Sequence, residues 1–223
     1  MDNTLRNGMA GRRGNLRRQF LRDLVASGVW VAAASLPAGA QEKAELPTGR
    51  NEPPATSPVA ETLADFAVKL RYEDLPGDVI RTVKRTILDT IGCAIGGYDA
   101  EPSRIARRLA SRVSATPAAT VLCSGVKTSH DLAVFANGVM IRYLDFNDGY
   151  ITPKGGGHPS DTIAALLSSA EIAGSSGRDL IVATALSYEV FCKVADVLDT
   201  RGLGLDQSTM LGLASLVGAS RLM

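Results

Sequence analysis

The stretch PGDVIRTVKRTILDTIGCAIGG at residues 76–97 sets the fold class. Val79, Val83, Ile87 and Ile91 recur every four residues, and Ile80, Leu88 and Ile95 widen the same stripe. That is the period of an α-helix, in which residues i and i+4 lie one above the other. A stripe so broad predicts a helix buried against several neighbours. Pro76 and Gly77 stand at its start and Gly96-Gly97 at its end, where proline and glycine are best tolerated.

The same period continues on both sides. Thr56-Ser57-Pro58 opens an earlier helix carrying Leu63, Phe66, Ala67 and Leu70. Ile105, Leu109 and Val113 mark a third, with Arg104, Arg107, Arg108 and Arg112 mostly on its outer surface. Thr120 to Cys123 is a short β-branched patch that suits a strand or extended connector. Ser129 is placed to cap the next helix, with Leu132, Ala136, Val139, Met140 and Tyr143 in register. Ile163, Leu166, Leu167 and Ala170 form another, closed by Gly174, and Arg178 to Leu198 one more. After Gly202 and Gly204, Asp206 caps a last helix through Leu213, Leu216 and Val217 to Met223. The fold class is all-α.

Composition agrees. Of 223 residues 45% are hydrophobic but only 5% aromatic, which suits closely packed helices. With 24 basic and 23 acidic residues, bulk charge favours neither nucleic acid nor an anionic membrane. Cys93, Cys123 and Cys192 are odd in number and widely spaced, so they read as small buried hydrophobes.

Residues 1–40 read as an export signal: Arg17-Arg18-Gln19-Phe20-Leu21-Arg22, an apolar run from Leu24 to Leu36, and Ala38-Gly39-Ala40 as cleavage pattern. The paired arginines resemble the twin-arginine signal that addresses folded proteins to the bacterial Tat translocon, which implies the periplasm, with the cytoplasm as alternative. The apolar run is shorter than the ~20 residues a membrane span needs. Residues 41–57 are rich in Pro, Glu, Thr, Gly and Asn and read as a disordered linker, leaving 58–223 as the helical domain. Its last pattern carries no stop signal, so the domain is expected to be C-terminally incomplete.

One segment is not built like a helix. RYLDFNDGYITPKGGGHPSD, residues 142–161, gathers Asp145, Asp148, Asp161 and His158 around three consecutive glycines. Gly155, Gly156 and Gly157 permit positive φ and close approach of backbone to a ligand. An imidazole there can act as acid or base near neutral pH, or can simply sit at a helix start. Asp145 can orient it or accept backbone N–H groups in a turn. A divalent-cation set of Asp145, Asp148, Asp161 and His158 is conceivable by ligand type, but the spacing is no recognised framework, and no metal is expected. His130, at a helix start, reads as structural.

Asp-Phe-Asn-Asp at 145–148 followed by Gly-His-Pro-Ser-Asp at 157–161, together with ILDTIGCAIGG at 87–97, resembles the MmgE/PrpD family. That family includes 2-methylcitrate dehydratase, cis-aconitate decarboxylase and iminodisuccinate epimerase. The resemblance runs from about Thr62 to Met223 and implies the N-terminal helical part of a lyase on a small di- or tricarboxylate. It implies proton abstraction next to a carboxylate, no iron–sulfur cluster or other cofactor, and a homodimer at full length. By residue matching, His158 and Asp145 are catalytic, Asn147 and Asp148 bind substrate, and Arg221 can anchor a carboxylate. Three positions depart from the family pattern: Gly149 where Thr is common, Gln207 where His often stands, and Arg221 where many relatives have Lys. The alternative is an inactive fragment or paralogue serving as a binding domain.

Overall fold

The structure, a computed structural model, describes residues 58–223. The expected export signal and linker lie outside the described residues. The first described helix is α1 (Pro58–Lys69), with Glu61 in its first turn and Lys69 in its last.

Six further helices follow in the described residues: α2 (Gly77–Gly96), α3 (Glu101–Ala110), α4 (His130–Arg142), α5 (Ile163–Ala173), α6 (Gly177–Val197) and α7 (Ser208–Leu222). Two antiparallel ribbons interrupt them, β1 (Ala119–Thr120) with β2 (Lys127–Thr128) and β3 (Tyr150–Thr152) with β4 (Gly155–Gly157). The architecture is all-α, as the periodicity predicts. None of the described helices is long and apolar enough to cross a membrane.

The core uses small residues more than the apolar stripes suggest. On α3 the buried face is Ser103, Ala106 and Ala110, while Ile105 and Leu109, which mark the helix in the sequence, are exposed. Alanines let α3 lie close on α4, where Ala136, Met140 and Ile141 complete the cluster. Arg107 is not on the outer surface: its guanidinium stacks on Tyr98 and donates to the Tyr98 carbonyl. The stripe on α2 is also narrower than predicted. Val83, Cys93 and Ala94 are buried, but Leu88 is 71% and Ile95 59% exposed. Of the cysteines Cys93 is buried, Cys192 partly so and Cys123 exposed, so the buried reading fails at Cys123.

The β1–β2 ribbon is tied down by polar contacts. Glu171 of α5 accepts from the Thr120 backbone and hydroxyl and from Lys127 Nζ. Buried Asn137 donates to the Thr120 carbonyl and accepts from the Leu122 N–H. Around α6, the longest of the described helices, α7 and α5 close a second cluster of Leu166, Ala170, Ala183 and Leu222. The residues of α7 that go inside are Met210, Ala214, Gly218 and Leu222, whereas Leu216 is exposed.

Candidate active site

The 142–161 segment does not hang as an open loop. Tyr150, Ile151 and Thr152 pair with Gly157, Gly156 and Gly155 in a short hairpin. Gly155 and Gly156 have φ of 154° and 123°, which an L side chain rarely adopts. Gly157 has no such constraint, but a Cβ there would collide with the Gln207 side chain. The glycines therefore serve hairpin geometry and close packing against the segment before α7.

At the end of α4 the chain turns through Asp145, whose φ of 56° is left-handed, a conformation Asp tolerates better than most residues. The Arg142 guanidinium donates to Asp145 Oδ1, and His158 Nε2 lies 3.4 Å from the same oxygen. The Asp145 side chain is 66% exposed, so this corner is open to solvent. The Arg142 guanidinium, with a smaller contribution from His158, holds its carboxyl below the usual carboxylate range.

His158 is fixed on its other side. Nδ1 lies 2.6 Å from the Asp148 carbonyl, and its backbone N–H donates to Gln207 Oε1 at 2.7 Å. A carbonyl only accepts, so Nδ1 carries a hydrogen, and Nε2, facing Asp145 Oδ1, is the nitrogen at the exposed corner. Asp148 has both carboxylate oxygens engaged: Oδ1 accepts from the Ser160 N–H at 3.1 Å and Oδ2 from the Tyr188 hydroxyl at 2.8 Å. Asn147 is buried, and its amide nitrogen donates to Ser160 Oγ at 3.0 Å and Asp161 Oδ1 at 2.7 Å. Asp161 also faces Arg142 Nε at 3.5 Å. Burial pushes its carboxyl above the usual range, against the pull of Arg142 and the Asn147 amide.

Of the sequence candidates, His158, Asp145, Asn147 and Asp148 are brought together. Arg221 is not. It lies at the far end of α7, about 21 Å along the axis from Gln207 by helical rise, where neighbouring Leu222 accepts from Ser175 and Asp179 feels the guanidinium charge. Three members of the cluster, Arg142, Tyr188 and Ser160, were not singled out by sequence reasoning. Arg142 stands three residues before Asp145, a spacing that was readable. Tyr188 is forty residues from Asp148 and has no local signal. His130 is elsewhere, with Nε2 3.0 Å from Ser169 Oγ. Among the described residues no three carboxylate, imidazole or thiol groups converge as a metal-binding set.

Residues 61–223 match the family model described as the MmgE/PrpD N-terminal domain. The chain is 28% identical over 156 residues to a mitochondrial 2-methylcitrate dehydratase of Yarrowia lipolytica, covering 67% of this chain and 27% of that one. It is 30% identical over 179 residues to human cis-aconitate decarboxylase, covering 70% and 37% respectively. A 2-methylcitrate dehydratase of Cupriavidus necator is 33% identical over 108 residues, 45% of this chain and 21% of that protein. The chain thus spans well under half the length of these relatives. With the helical architecture, the Asp145–His158 corner and the match over 61–223 in agreement, the chain belongs to the MmgE/PrpD family.

Proposed function

We propose that this chain supplies the helical part of a lyase that removes a proton next to a carboxylate of a small di- or tricarboxylic acid. The observation that carries the reading is the orientation of His158, with Nδ1 donating to the Asp148 carbonyl and Nε2 turned to Asp145 Oδ1 at an exposed corner, where it can take up and return a proton. In the reaction, a C–H proton passes to Nε2, a double bond forms, and a hydroxyl on the adjacent carbon departs with a returned proton as water. Asp145 stabilises the imidazolium through the oxygen it shares with Arg142. Arg142, and not Arg221, is the guanidinium at this corner, and it suits a substrate carboxylate. The names of the relatives, dehydratases and a decarboxylase, support the class of reaction. Loss of carbon dioxide or inversion at carbon would begin with the same corner.

The test is turnover of 2-methylcitrate, cis-aconitate and iminodisuccinate by the protein expressed from its whole reading frame. One of them is consumed, and His158→Ala lowers the rate by about 10²–10⁴-fold with unchanged circular dichroism. Near-normal turnover in the variant would remove His158 from the chemistry. A folded parent inert on all three would favour the reading of a binding domain.

A further inference from the structure

Tyr188 lies on α6, and its phenol reaches across to the segment between α4 and α5. On one side the residue lines a cleft of about 280 Å³ between α2 and α6, with Thr82, Thr86 and Cys192. Its hydroxyl donates to Asp148 Oδ2 at 2.8 Å. Asp148 Oδ1 is held by the Ser160 N–H, and the Asp148 carbonyl takes the Nδ1 hydrogen of His158. The imidazole is therefore oriented by a backbone carbonyl whose own residue is anchored by Tyr188 from a separate helix. Ser160 follows His158 by two residues, so its hold on Asp148 is local. Tyr188 ties Asp148 itself to α6, whereas Tyr150 and Thr152 of the hairpin bond to Asp196 and the Ala195 carbonyl near the end of the same helix.

We propose that Tyr188 is a positioning residue, setting the tautomer and direction of His158 through Asp148. Burial and the neighbouring Asp148 push the phenol up, so it stays a hydrogen-bond donor across the working pH range. The activity part of this inference rests on the lyase reading; the orientation part does not.

Nitrogen-15 spectra of the imidazoles test it directly, because the chain has only two histidines. In the parent, His158 shows the Nδ1–H form with a slowly exchanging proton. In Tyr188→Phe, which removes one oxygen, His158 becomes a tautomer mixture and its Nδ1 proton exchanges at least about tenfold faster. His130, bonded to Ser169, keeps its signal and reports an intact fold. With a turned-over substrate, kcat falls about tenfold while KM holds, since orientation and not substrate binding is lost. An unchanged His158 tautomer and exchange rate in Tyr188→Phe would overturn the proposal. Should that variant not fold, Asp148→Asn carries the same expectation for His158, and an unchanged His158 spectrum there would overturn it equally. A parent without turnover would sink the lyase reading and leave the spectral result standing.

Discussion

At the scale of single residues, two carboxylates sixteen positions apart are driven in opposite directions by their surroundings. Asp145 is exposed beside Arg142 and loses its proton more readily, whereas Asp161 is more buried and holds its proton longer. For a carboxyl raised in the folded state, stability is fully present below the unfolded value and declines as pH rises through the folded one. Ionised Asp161 therefore costs stability at neutral pH. Asp161→Asn, which can still accept from Asn147, is expected to raise Tm by about 1–3 °C at pH 7. The gain should vanish below the usual carboxylate value of ~3.9. Paired melts at the two pH values check this, and a lower Tm for the variant at pH 7 would mean that the Arg142 contact outweighs burial. The sequence made Asp145 and His158 readable as a pair, since both carry chemistry beside turn-forming residues. It did not show that Asn147 is buried and bonded to Ser160 and Asp161, because burial depends on what arrives from elsewhere.

At the scale of elements, the packing of α7 is decided by a residue without a side chain. A Cβ on Gly218 would stand 2.6 Å from Leu166 Cδ2 and 3.1 Å from the Ala183 carbonyl, whereas one on Gly212 would meet nothing within 4 Å. Helix propensity alone favours replacing either glycine, by up to ~1 kcal/mol for alanine. At Gly212 that term acts unopposed, so Gly212→Ala should raise the urea midpoint. At Gly218 overpacking against α5 and α6 wins, and Gly218→Val should destabilise by about 1–3 kcal/mol with little change in m. Equal midpoints for the two variants would refute this account of α7. The boundaries of α2, α5 and α6 were legible from periodicity and from Gly174, whose φ of 66° ends α5. The buried face of α3 differs from its apolar stripe, because alanines carry the close contacts and a hydrophobic stripe gives them little weight.

At the scale of the whole molecule, large apolar side chains remain outside. Leu88 and Ile95 on α2, and Phe135, Tyr143 and Phe146 on and after α4, are all exposed. Apolar surface of this kind promotes association. Light scattering on the chain alone should give a mass above that of one copy. Leu88→Ser with Phe135→Ser should lower that mass without lowering Tm, since the removed groups bury little area within a single chain. A compact monomer in the parent would count against it. By itself the sequence determined the all-α class, the helix sites, the family and the Asp145–His158 pairing, because helical period and short motifs are written in consecutive residues. Only the tertiary structure decided that three glycines form a hairpin edge, that Arg142 and not Arg221 joins the corner, and that Tyr188 holds Asp148. The physical reason is that each depends on groups far apart in the chain meeting at hydrogen-bond or contact distance, which no local pattern specifies.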